Sequence, residues 1–242
     1  TLIDYAKEQR MATGIVSANS LMEGSLAPFV AHVENRMQLE EIAKAYVEKE
    51  LDVFIGSGIQ HFTNRKDGKD FLPELSQKGY QITRSEQELQ NVSGSKLAGF
   101  IAASEECNNS QGSGVSLPFY VQTALHLLSK NEHGFLLVIG DMHVDRASHA
   151  KDTKLIGSET IHLDKAIGLA LDFAKKETNT LVIVVGGPEA SGMVLVGGDL
   201  QNQVVEADWV KPGMIHTGTM LPIFSYGFES DRFGGIMHNS DL

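Results

Sequence analysis

The stretch "GFLLVIGDMHVDRASHAKD" (Gly134–Asp152) sets a continuous apolar run against a polar tail. The run "GFLLVIG" (134–140) has the length and unbroken hydrophobicity of a strand buried on both faces, the signature of a parallel sheet. The tail "MHVDRASHAKD" carries His143, Asp145, His149 and Asp152 just past the strand's carboxyl end. Asp145 and His149 are four residues apart. On a helical turn they face the same side, a spacing that suits two ligands of one metal ion. His143, two residues before Asp145, should point elsewhere. A loop whose polar groups hydrogen-bond locally accounts for the same residues, and the two readings stand side by side at this point.

Working outward, apolar runs alternate with helical patterns. A first helix, "TLIDYAKEQR", has Thr1 as a candidate cap and a stripe of Leu2, Ile3, Tyr5 and Ala6. It leads to a strand at 12–18. A helix at 35–50 precedes the strand "LDVFIGSG" (51–58). "DFLPELSQKG" and "YQIT" give a weaker helix and strand, and "LAGFIAA" (97–103) gives another strand. A helix at 116–131, with proline in its first turn, leads into the opening run. The longest helix, 158–177, precedes "NTLVIVVGG" (179–187), the strongest candidate for a buried strand. Shorter pieces, "GMVLVGGDL" and "QNQVVEAD", then lead to a last strand, "LPIFSYG" (221–227). This alternation predicts an α/β fold, a mostly parallel central sheet flanked by helices, as a single domain over 1–242. Functional groups in such folds cluster at the carboxyl ends of strands, where "MHVDRASHAKD" and "GGPEASG" (186–192) both lie.

The bulk composition narrows the function classes. The chain has 242 residues, 42% of them hydrophobic, and a formal net charge of −11. That acidic balance argues against nucleic-acid or anionic-membrane partners. It does not exclude a small anionic ligand, because a local cation can outweigh the global field. One cysteine, Cys107, precludes an intrachain disulfide and reads as an incidental thiol in a polar loop. No signal peptide and no membrane-spanning run is present. The chain opens directly on a helix, so a longer native product is expected.

Other candidate groups are weaker. His216 in "MIHTGT" lies just before the last strand and, taken alone, reads as structural. "IGSGIQHF" (55–62) lacks the lysine and hydroxyl of a phosphate-binding loop and the third glycine of a dinucleotide fingerprint, so it reads as a strand-exit turn. "RKDGKD" (65–70) reads as a solvated turn at Asp67-Gly68.

Taken together, the segments resemble the alkaline phosphatases, a family of metal-dependent phosphomonoesterases, over nearly the whole chain. "DVFIGSGIQHFTNRKDGKD" is similar to the family's "DV-GGG--F--R-DG". "GFLLVIGDMHVDRASHAKD" is similar to "GF-LMVEG--ID--GH-ND". "ETIHLDKAIGLALDFAKKETNTLVIVV" and "IHTGTMLPIFSYG" follow in the family's order. The resemblance implies a serine nucleophile, two zinc ions and a magnesium, but it transfers unevenly. Asp145, His149 and His216 fall on the three ligands of the first zinc site, whose open fourth position marks a catalytic zinc. Gly187 and Pro188 fall on the Asp-His pair of the second zinc site, leaving Glu189 one position too late. Gly140 falls on a magnesium-site glutamate, Ser25 on its threonine ligand, and Glu23 two residues before that threonine. The nucleophile precedes the segment matching Thr1 in the family. Ser20, Ser25 and Ser191 do not match its position.

The resemblance therefore implies an alkaline-phosphatase-like homologue lacking the family's N-terminal nucleophile segment, with hydrolysis impaired or lost: a pseudoenzyme keeping one zinc site, with magnesium doubtful. Its ligand would be phosphate or a phosphomonoester, its location periplasmic or extracellular. A homodimer or a partner chain would complete the sheet. Two alternatives remain: an active metal-dependent phosphatase whose nucleophile segment lies on a missing or separate chain, and a non-catalytic interaction module.

Overall fold

The computed structural model describes residues 1–101, 116–210 and 215–242. Cys107 and most of the glycine- and serine-rich loop at 108–116 lie outside them. The described residues fall into two compact units, Thr1–Met142 and His143–Leu242.

The first unit runs α1 (Leu2–Glu8), β1 (Ala12–Ser20), α2 (Ala27–Val30), α3 (Leu39–Lys49), β2 (Val53–Ser57), α4 (Gln60–Thr63), α5 (Leu72–Gln77), β3 (Gln81–Thr83), α6 (Glu86–Leu89), β4 (Leu97–Phe100), α7 (Leu117–Leu128) and β5 (Phe135–Gly140). Its five strands form one sheet in the order β3-β4-β2-β1-β5, every neighbouring pair parallel. All nine residues of β1 are buried, while the run "GFLLVIG", read as buried on both faces, forms the edge strand β5, whose six residues are all only partly buried. Helices cover both faces. Gly14 faces α7, where an added Cβ would lie 2.6 Å from Leu128 Cδ1, so a larger residue there would have to shift that side chain. Its neighbour Ile15 joins the opposite cluster with Ile3 of α1 and Tyr46 of α3. Phe54 of β2 centres that core, its ring 5.4 Å from Tyr46, 5.7 Å from Tyr80 and 5.9 Å from Phe100. Burying each such side chain stabilises the fold by about 1.5–3 kcal/mol. The two phenols remain satisfied: Tyr46 Oη donates to Leu21 O at 2.8 Å and Tyr80 Oη to Leu51 O at 2.5 Å. As the sequence suggests, Thr1 caps α1, its Oγ1 accepting from Asp4 N at 3.3 Å.

The turn at Asp67-Gly68 forms, with Gly68 at φ 71°, but it is not simply solvated. Arg65 turns inward and is buried. Its Nε and Nη2 donate to the two Asp67 carboxylate oxygens at 3.0 and 2.8 Å, and Nη1 donates to Glu40 O at 2.5 Å. Its guanidinium lies 4.5 Å from the centre of the Phe71 ring. A planar cation with a fixed fork of donors can be buried where carbonyls and a carboxylate meet it, and a charge count does not reveal that.

The second unit runs α8 (His143–Ala150), α9 (Thr153–Lys176), β6 (Leu181–Val185), β7 (Glu189–Ala190), β8 (Met193–Asp199), β9 (Val204–Trp209), β10 (His216–Thr217) and β11 (Ile223–Gly227), followed by two short 3₁₀ turns. Its strands pair in antiparallel twos: β6 with β11, β8 with β9, and β7 with β10. This corrects the reading of "NTLVIVVGG" as the strongest candidate for a buried strand. Among the described residues β6 has one neighbour, and both its end residues, Leu181 and Val185, are exposed. An apolar run reports hydrophobicity and not the direction or number of strands beside it. The longest helix starts five residues earlier than its periodicity suggests, because Asp152 Oδ1 caps it by accepting from Leu155 N at 3.0 Å. Among the described residues, no helix is long and apolar enough to cross a membrane.

Candidate metal centre

The polar tail that follows β5 is a full helix, α8, rather than a loop. Asp145 sits in its first turn, where a carboxylate complements the positive end of the helix, and His149 in its last. The helix ends at Lys151, which takes a left-handed φ of 57°. Lys151 N then donates to Ser148 O and Asp152 N to Ala147 O, each at 3.1 Å, closing the last turn. Asp145 and His149 therefore share one face of a helix fixed at both ends.

His216 reaches them through a ribbon too short to show a period of its own. β7 and β10 pair over two residues each, His216 opposite Ala190 and Thr217 opposite Glu189. Ser191 N extends the ribbon by donating to Ile215 O at 2.8 Å.

The three side chains converge. His149 Nε2 is 3.1 Å from His216 Nε2, His216 Nε2 is 3.3 Å from Asp145 Oδ1, and His149 Nε2 is 3.6 Å from Asp145 Oδ2. Among the described residues, these three are the group of histidines and carboxylates placed to hold a cation. Ligands about 2.0–2.1 Å from a tetrahedral zinc lie about 3.3–3.4 Å from one another; the separations here lie near that value, the two to Asp145 running to different carboxylate oxygens. One carboxylate and two imidazoles with a fourth position left over is also a donor set zinc accepts. Asp145 and His149 are largely buried, whereas His216 is 46% exposed, so the triangle opens toward solvent on that side.

The other expected residues behave differently. The His143 ring is buried, with Nδ1 4.0 Å from Glu159 Oε2 on α9, and it is not part of the triangle. Ser25 belongs to the first unit, where its hydroxyl lies 3.5 Å from Met142 Sδ. Of the magnesium-site positions implied by the resemblance, Gly140 does not fit that ion. Gly140 offers no ligand, and an added Cβ there would lie 2.8–2.9 Å from three Leu26 side-chain atoms. A glutamate would have to displace a leucine that is 2% exposed. Gly187 and Pro188 offer no side-chain donor, although a Cβ on Gly187 would meet nothing within 4 Å. Glu189 already has a partner on each oxygen: Oε2 accepts from Thr217 Oγ1 and Oε1 from Met193 N at 3.1 Å. The Thr217 hydroxyl in particular holds its carboxyl below the usual carboxylate range. The sequence gives Ser191 only as an available hydroxyl. It is fully buried, with Oγ 3.5 Å from His149 Nδ1. The dipeptide Ser191-Gly192 signals a turn, but nothing in the sequence points that turn at His149.

Comparison with known proteins bears on the family. The alkaline phosphatase family model matches residues 1–207. Alkaline phosphatase 4 of Bacillus subtilis is 28% identical over 81% of this chain and 44% of its own length. The Escherichia coli alkaline phosphatase is 27% identical over 100% of this chain and 65% of its own length. The chain thus spans from under half to about two thirds of these curated relatives. The alkaline phosphatase of the Antarctic bacterium TAB5 superposes with a TM-score of 0.82 at 32% identity, covering 96% of this chain and 70% of that one. A variant of that enzyme has been solved with magnesium bound. With the family model reaching through the parallel sheet, α8 and most of the second unit, the chain belongs to the alkaline phosphatase family.

Proposed function

We propose that this chain keeps the alkaline phosphatase fold with one zinc centre, Asp145–His149–His216, and that its phosphomonoesterase activity is lost or severely reduced. The observation that carries the reading is the convergence of the three side chains, with the two imidazole Nε2 atoms 3.1 Å apart and each within 3.3–3.6 Å of an Asp145 carboxylate oxygen, separations that suit ligands of one zinc. A zinc held there supplies Lewis acidity toward a phosphoryl oxygen. The chain's own residues orient it: α8 presents Asp145 and His149, and the β7–β10 ribbon brings His216 across. Phosphate or a phosphomonoester is the ligand this centre suits, and the family points to a site of action outside the cytoplasm.

The loss of activity is supported by the residues around the triangle. In-line phosphoryl displacement in two-metal sites uses one ion for the attacking oxygen and the other for the leaving oxygen. Gly187 and Pro188 give the second ion nothing to bind, and Leu26 occupies the space over Gly140 where a third ion's ligand would extend. Losing one such electrostatic stabiliser costs about 3 kcal/mol of barrier, roughly a hundredfold or more in rate, and here more than one is missing.

The test is zinc content and p-nitrophenyl phosphate turnover of purified protein, wild type and His149→Ala. About one zinc per chain, lost in the variant, with turnover at background in both, is the expected result. Robust turnover abolished by the substitution would instead establish an active phosphatase. Absence of zinc from the wild type would leave a non-catalytic module.

A further inference from the structure

Ser191 occupies an expensive position. It is fully buried, and its φ of 65° lies in the left-handed region that serine adopts rarely; Gly192 follows it at the same φ. Two successive left-handed residues turn the chain from β7 into β8. Glycine would serve the first position with less strain, yet a serine stands there. Backbone outliers of this kind persist where the surroundings over-determine them, and they cluster at functional sites. The Ser191 hydroxyl lies 3.5 Å from His149 Nδ1, while the same ring turns Nε2 toward His216 and Asp145.

The ring's two nitrogens therefore have different tasks. A histidine that ligates through Nε2 must carry its proton on Nδ1, and a partner for that N–H fixes both tautomer and ring orientation. The rest of the ribbon is anchored on the other side, where Glu189 accepts from Thr217, the residue after His216.

We propose that Ser191 is a positioning residue for the metal centre: its Oγ accepts from His149 Nδ1–H and so aims the Nε2 lone pair into the donor triangle. This rests on the zinc reading above and adds to it a residue that touches no metal.

The decisive variant is Ser191→Gly, which removes the hydroxyl while suiting the left-handed backbone. Zinc affinity is measured by chelator competition, folding by the melting temperature of zinc-free protein, and the His149 tautomer by ¹⁵N-histidine spectra. The expected result is zinc binding about 10–100-fold weaker, an unchanged or raised melting temperature, and loss of the predominantly Nδ1-protonated His149 signal seen in wild type. Zinc affinity within about twofold of wild type, while His149→Ala loses zinc, would overturn the inference and leave the zinc centre standing. A fall in both melting temperature and zinc affinity would also overturn it, since a collapsed turn explains both. A wild-type protein that binds no zinc would overturn inference and zinc centre together.

Discussion

Substituting Gly140 by alanine probes how firmly Leu26 closes the end of β5. The added Cβ would lie 2.8 Å from Leu26 Cδ1 and 2.9 Å from Cδ2 and Cγ, against a side chain that is 2% exposed. Overpacking of this kind costs about 1–3 kcal/mol, and replacing a strand glycine returns about 0.5–1 kcal/mol through backbone entropy. Gly140→Ala should therefore destabilise by up to about 2.5 kcal/mol. Leu26→Ala should cost about 2–5 kcal/mol for a fully buried leucine. In the double variant the cavity left by Leu26 accepts the new methyl, so the two losses should fall short of additivity by about 0.5–3 kcal/mol. Urea unfolding followed by far-ultraviolet circular dichroism gives all four stabilities, provided the slope is common to the set. Costs that add within about 0.5 kcal/mol would show that Leu26 does not stand over Gly140. The steric part of the case against a magnesium ligand at that position would then fail.

Two further predictions concern the second metal position and the buried arginine. Because a Cβ on Gly187 meets nothing within 4 Å, the double variant Gly187→Asp, Pro188→His should fold and raise bound zinc from about one to about two per chain, read by elemental mass spectrometry; a stoichiometry unchanged from wild type refutes it. The Arg65 guanidinium beside Asp67 holds that carboxyl down to about 2. Its unfolded value is near the ordinary 3.9 or so, and a depressed folded pKa gives stability present above the unfolded value and lost as pH falls through the folded one. Wild type should therefore lose stability between about pH 4 and about pH 2 more steeply than Asp67→Asn, and parallel slopes in acid titrations of unfolding refute this.

What the sequence discloses depends on how far each feature reaches along the chain. β2 is legible because its burial goes with a short apolar run, whereas β5, an edge strand whose residues are all partly buried, shows that an apolar run locates a strand without fixing its burial. Asp145 and His149 are legible as a pair because one helix carries both, at a spacing the helix itself dictates. His216 is legible only through the order of family segments: the ribbon that delivers it is two residues long and has no periodicity to read. The same limit hides Ser191, whose role depends on a turn and a contact 42 residues away in the chain. The direction and exposure of β6 escape for another reason, since "LVIVV" suits a central parallel strand and a half-covered antiparallel one equally well. Arg65 escapes because its burial is decided by carbonyls and an aromatic ring supplied from elsewhere.

The donor triangle also has a topological meaning. Asp145 and His216 are 71 positions apart in sequence, and most of the second unit lies between them. A cation shared by the two closes that span into a ring. By the chain-entropy model for cross-links, closing a loop of this size removes on the order of 4 kcal/mol of freedom from the unfolded chain. Around a ribbon held by only two residue pairs, such a closure acts as a detachable clasp: chelation would open the span from Asp145 to His216 to exchange and proteolysis, and leave the parallel sheet of the first unit closed.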